Sequence, residues 1–123
     1  DYINYQDVVD ANIKVLEDAR ADYQAFNVGG GKAYSVLNFY ELVQQVTGKK
    51  LAPAVSKYYR YGDTRHIFSD ISKLKSLGWE PRVSIENSIK EYWEYLNSQA
   101  DIEDILDYAE KTMKSKAVVR EIR

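Results

Sequence analysis

At 123 residues, with 45% hydrophobic and 29% charged side chains, the chain has the size and composition of one globular domain with room for a core. A net charge of -2 offers no long-range attraction to nucleic acid or anionic membrane, and no apolar run approaches the roughly 20 residues of a membrane span. The lack of cysteine removes disulfides, thiolate nucleophiles and cysteine zinc sites, one histidine is too few for a histidine metal centre, and a reducing cytoplasm is the expected setting.

Tyr2 to Tyr5 reads as a brief strand feeding a helix, with Asp7 as the expected N-cap. Val9, Asn12, Ile13 and Leu16 recur at helical spacing, Val8, Ala11 and Val15 widen that face, and the helix is expected to end near Glu17. Ala25 to Val28 is a second expected strand, closed by the turn of Gly29, Gly30 and Gly31. Ser35 caps the next helix, in which Phe39, Leu42, Val43 and Val46 form the apolar stripe and Gly48 is the expected left-handed stop after Thr47. Leu51 to Val55 is a candidate edge strand, because Pro53 cannot donate to a central ladder.

Residues 56–69 show neither helical nor strand periodicity and read as a binding loop rich in tyrosine, arginine and aspartate. Asp70 then caps a short helix carrying Ile71 and Leu74, which Gly78 closes before a turn at Trp79, Glu80 and Pro81. Ser84 caps a helix whose stripe is Ile85, Ile89, Tyr92, Trp93 and Leu96, ending near Asn97. A final amphipathic helix from Asp101 places Ile102, Ile105, Leu106, Ala109 and Met113 on one face, with acidic residues at its start and lysines at its end.

The glycine triplet does not fit a cofactor loop. As a dinucleotide fingerprint it has Tyr34 where the third glycine belongs; as a phosphate loop it lacks a glycine at Phe26 and a hydroxyl at Ala33. A tight turn is the expected role, with the amides that open the Ser35 helix free to face an anion. The loop at Arg60 carries more chemistry. Arg60 and Arg65 are permanently charged planar forks that match phosphate oxygens, Asp63 can accept from sugar hydroxyls or pair with an arginine, and the neighbouring tyrosines can wall a base or a sugar. On residue types alone the loop is either a ligand site or a solvated ion-pair loop, and His66, without an identifiable partner, is taken as structural.

The run Arg60-Tyr61-Gly62-Asp63-Thr64-Arg65-His66-Ile67-Phe68-Ser69-Asp70-Ile71-Ser72-Lys73, followed by Leu77-Gly78-Trp79-Glu80-Pro81, resembles a signature of the extended short-chain dehydrogenase family of nucleotide-sugar epimerases and dehydratases. Asp1-Tyr2-Ile3-Asn4-Tyr5-Gln6-Asp7-Val8 resembles a second family stretch, with Asn4 where histidine is common. Phe26-Asn27-Val28-Gly29-Gly30-Gly31 and Tyr34-Ser35-Val36 resemble two more, in the same order. The resemblance covers residues 1–97. It implies an α/β chain that is mostly helical with a few short strands: the substrate-side, C-terminal portion of such an enzyme, without its Rossmann core. It further implies that Arg60 contacts the pyrophosphate of a nucleotide sugar, that Asp63 binds within the nucleotide or orients Arg60, and that Arg65 is a neighbour in the same site.

The departures are as informative. The family's cofactor loop does not occur here, and none of the 11 tyrosines has lysine four positions later, so the catalytic Tyr-x-x-x-Lys pair is missing. The expectation is therefore a piece that binds substrate and is not catalytic alone. No catalytic, cofactor or metal residues are assigned within it, and NAD is expected in the parent enzyme only. Residues 1–99 form the nucleotide-sugar-binding portion and 100–123 a helical extension. The expected partners are a nucleotide-diphosphate sugar, the missing N-terminal Rossmann domain and a second copy in a homodimer, with no nucleic acid or membrane. The parent is expected to be an epimerase; a 4,6-dehydratase, or a stand-alone nucleotide-binding or interaction module, is the alternative.

Overall fold

The computed structural model describes residues 1–55, 57–100 and 106–121. Five helices and two short strands follow in the order α1 (Tyr5–Glu17), α2 (Val36–Thr47), β1 (Tyr58–Arg60), α3 (Ser72–Lys75), α4 (Ile85–Ser98), α5 (Leu106–Ser115) and β2 (Val119–Glu121), with a 3-10 turn at Ala19–Ala21. The mostly helical character matches the sequence reading. The two strands form one antiparallel pair, and no parallel sheet of a Rossmann core is present among the described residues.

The core is small and lies between α1, the 3-10 turn and the segment 71–79. Ala11, Ala21, Ile71, Leu74, Leu77 and Trp79 are buried together, and Ile3, Val15, Phe26 and Val28 pack against them. Leu74 has no exposed surface at all. Its truncation leaves a cavity in a core with few other residues to fill it.

Helix ends follow local chemistry. The Ser35 hydroxyl accepts from the Asn38 amide while the Asn38 side chain accepts from the Ser35 amide, a closed capping box. Gly48 ends α2 with φ of 69°, which a residue with a Cβ adopts only at a cost. Ser84 caps α4 through the Asn87 amide. The N-cap position of α3 is held by Ile71, which makes no side-chain cap, and not by Asp70 as expected; the Asp70 carboxylate accepts from the Ser72 amide at 2.9 Å. That hydrogen bond holds its acid below the usual carboxylate range.

Further expectations are corrected. The N-cap of α1 is Asn4, whose side chain accepts from the Gln6 amide, and no strand forms at Tyr2 to Tyr5. Asp7 lies inside the first turn and points inward, 2% exposed, where its two oxygens accept from the Arg82 and Val83 amides at 2.9 and 3.1 Å. Ala25 to Val28 and Leu51 to Val55 run without ladder partners among the described residues, and a strand exists only where a neighbour supplies its hydrogen bonds. The segment expected to be an irregular loop contains β1, and the tail expected to be all helix ends in β2. Tyr58 pairs with Glu121, Tyr59 with Arg120 and Arg60 with Val119. The expected start of the tail helix, including Ile102 and Ile105, lies outside the described residues; Ala109 and Met113 are half-buried and Leu106 is exposed.

Candidate functional site

Two side chains anchor the segments that carry the motifs. Besides capping α1, Asn4 donates to Ser88 Oγ at 3.0 Å and Glu91 Oε2 at 2.9 Å, fastening α1 to α4. Lys73 Nζ donates to Gln24 Oε1 at 3.0 Å and to the Ala25 carbonyl at 2.8 Å, and sits 4.7 Å from the centre of the Phe26 ring. Motifs far apart in sequence are therefore held against one another by polar side chains as well as by the core.

The glycine turn is closed by the chain itself. The Gly30 amide donates to Asp1 Oδ1 and the Ser69 amide to Asp1 Oδ2, both at 3.0 Å. A Cβ at Gly30 would collide with the Tyr2 carbonyl oxygen, so the space a phosphate would need is filled by backbone. At the start of α2 the capping box engages the amides of Ser35 and Asn38. These residues do not fit a dinucleotide cofactor, in agreement with the failed spacing in the sequence.

At the arginine loop, the backbone turns at Tyr61 and Gly62, with the Asp63 amide donating to the Arg60 carbonyl at 3.3 Å. Gly62 stands third in this turn with φ of 92°, the left-handed backbone that a type II turn requires there. The reversal brings the Asp63 carboxylate back onto Arg60, and Nε donates to Oδ2 at 3.0 Å. Arginine, glycine and aspartate at this spacing are thus a geometric unit. Both charged side chains remain open to solvent, at 56% and 57% exposure. Arg65 and His66 are exposed farther along the same segment, and Arg65 makes no ion pair among the described residues.

Arg60 borders a shallow cleft of about 190 Å³, formed with Tyr58, Tyr59 and Val119 of the strand pair and Glu110, Met113 and Lys114 of α5. Strand alternation puts Tyr58 and Arg60 on one face of the ribbon and Tyr59 and Tyr61 on the other. On that second face the Arg120 guanidinium stacks 3.6 Å from the Tyr61 ring centre, and the Tyr61 amide donates to the Val118 carbonyl at 2.7 Å. The tail residues at this cleft were not among the site residues read from the sequence. The available signal was the β-branched pair Val118–Val119 behind Lys116, which marks a strand without saying what it pairs with.

A larger cavity of about 700 Å³ opens between α2 and α4, lined mainly by apolar groups such as Phe39, Val43, Ile89, Trp93 and Leu96. Its buried polar residues, Asn4 and Asp7, are already engaged in structural hydrogen bonds, and it shares no lining residue with the arginine cleft. Size alone does not make it the ligand site, since its walls are mainly apolar. Among the described residues no cluster of histidine, aspartate and glutamate can hold a metal ion, and no helix is long and apolar enough to cross a membrane.

No family model matches the chain. It is 31% identical over 102 residues to dTDP-L-rhamnose 4-epimerase of Burkholderia thailandensis, covering 82% of this chain and 28% of that protein. It is 35% identical over 99 residues to UDP-glucose 4-epimerase of Halalkalibacterium halodurans, covering 77% and 29%. The UDP-glucose 4-epimerase of Bacillus subtilis is 32% identical over 104 residues, covering 82% and 30%. A crystal structure of UDP-glucose 4-epimerase with UDP-glucose from Thermotoga maritima superposes with a TM-score of 0.70 at 35% identity, covering 80% of this chain and 32% of that one. The chain spans less than a third of the length of these relatives. Over about four fifths of its length, the chain is similar in sequence and fold to a portion of the nucleotide-sugar 4-epimerases of the extended short-chain dehydrogenase type.

Proposed function

We propose that this chain is the substrate-binding portion of an NAD-dependent nucleotide-sugar epimerase, in which Arg60 holds the diphosphate of the nucleotide sugar. The observation that carries this reading is the turn at Gly62, which sets an exposed guanidinium and its aspartate beside a cleft. A solvent-exposed ion pair contributes only about 0–1 kcal/mol, so little is lost when the guanidinium leaves Asp63, and a diphosphate offers its planar fork a bidentate contact that the single Nε bond to Asp63 does not use. Asp63 then orients the guanidinium, or accepts from the ligand's hydroxyls, and Arg65 adds positive potential nearby. The cleft, at about 190 Å³, is smaller than the roughly 300–1,000 Å³ of complete ligand pockets, which suits a diphosphate whose base and sugar are walled by another part of the protein.

That other part, in this reading, is the Rossmann domain, which carries the Tyr-x-x-x-Lys pair and NAD; when bound, NAD supplies the hydride acceptor. Tyr5, Val9, Ile13 and Leu16 form a second apolar stripe on α1, opposite Ala11, and Leu16 is 84% exposed. A surface of this kind calls for a covering partner, the Rossmann domain in the whole enzyme or a second copy when the chain stands alone. The cavity between α2 and α4 adds to the apolar surface that such a partner would cover. One feature favours a stand-alone binding module instead: the core around Leu74 closes within this chain. A dehydratase would use the same diphosphate site, so it shares the predictions for Arg60.

Isothermal titration of the full-length protein with UDP-, dTDP-, CDP- and GDP-sugars tests the proposal. One of the four is expected to bind, and Arg60→Ala to weaken it by about ten- to a hundredfold. Unchanged affinity in that variant would remove the assignment, and turnover of the bound sugar separates the epimerase from the module.

A further inference from the structure

The recognisable motifs begin at Asp1 and end at Pro81, and the C-terminal tail lies beyond them. Yet the tail returns to the arginine loop. Strand β2 pairs with β1, Arg120 stacks on Tyr61, and the turn at Ala117 fixes the direction in which α5 leaves β2. The result places Lys114 on the rim of the cleft that Arg60 lines. Its ammonium lies 6.0 Å from the Tyr58 ring centre and 3.2 Å from Glu110 Oε2, one turn earlier on the same helix.

From this arrangement we infer that Lys114 is a second phosphate-binding cation, delivered to the Arg60 cleft by the C-terminal tail. The inference rests on the reading of Arg60 given above. Two cations on one small cleft repel each other when it is empty and gain by sharing an anion. Each now leans on an exposed carboxylate, Asp63 for Arg60 and Glu110 for Lys114, and such pairs are weak enough to yield to a phosphate. Arginine contributes a planar fork and lysine a compact point charge, so the two can hold different oxygens of one diphosphate. An unanchored tail lysine would have no defined position at this cleft; the strand pairing provides one.

The test is titration of the full-length protein with UDP, dTDP, CDP and GDP, followed by Lys114→Gln, Lys114→Arg and Lys116→Gln with whichever diphosphate binds. Lys114→Gln is expected to weaken binding about tenfold and to flatten its salt dependence. Lys114→Arg, which keeps the charge, and Lys116→Gln, an exposed tail lysine outside the cleft, are expected to bind like the parent. Wild-type affinity in Lys114→Gln alongside a loss in Arg60→Ala overturns this inference and leaves the Arg60 reading standing. An equal loss in Lys114→Arg or Lys116→Gln also overturns it. Unchanged binding in Arg60→Ala, or no binding of any of the four diphosphates, removes both.

Discussion

The Asp7 carboxylate accepts from two backbone amides of the Pro81–Ser84 turn and has almost no contact with water. Asp7→Ala leaves two donors without their acceptor and is expected to cost about 2 kcal/mol or more, read as a lower urea midpoint at unchanged slope. Asp18 works at the surface. It caps the 3-10 turn, and its hydrogen bond from Arg20, supported by Lys14, pulls its pKa well below the ordinary carboxylate value of about 3.9 while raising that of Arg20. A depressed folded-state pKa adds stability that is complete above the unfolded value and is lost as pH falls below it through the folded value. Asp18→Asn is therefore expected to lower the melting temperature at pH 7 and to converge with the parent in strong acid. A constant difference down to pH 2 would contradict that cause. At this scale the sequence was informative wherever a residue acts on near neighbours: arginine, glycine and aspartate at positions 60, 62 and 63 could be read as a unit because one turn joins them. Asp7 was misread as a cap because its partners lie more than seventy residues away.

Among the elements, α2 and α4 were legible nearly to the residue, since hydroxyl caps, apolar spacing and a stop glycine are local signals. The β1–β2 pair was not. Its two strands have three residues each and lie about sixty residues apart, so neither forms a period long enough to detect and neither names its partner. The turn that joins α5 to β2 offers a specific test. Val118 donates to the Met113 carbonyl and Ala117 to the Lys114 carbonyl, the two bonds of a Schellman motif, but the left-handed position is held by Ala117 at φ of 53° and not by glycine. Ala117→Gly is expected to relieve about 1 kcal/mol of strain and to slow exchange of the Tyr61 amide, which is bonded to Val118. Faster exchange in that variant would show that the turn does not limit tail docking.

For the molecule as a whole, the small core and the long exposed stripe of α1 set the expected behaviour. The 123-residue chain alone is expected to associate with itself, and Ile13→Lys with Leu16→Lys to shift it toward monomer in sedimentation. If the double variant leaves the association unchanged, a surface other than α1 is responsible. A diphosphate is expected to replace Asp63 on the Arg60 guanidinium, which a crystal structure of the full-length protein with its nucleotide sugar would test. Diphosphate oxygens are expected within hydrogen-bond distance of Arg60, at the cleft bordered by Tyr58. Density for the ligand elsewhere, with Arg60 still bound to Asp63, would contradict it.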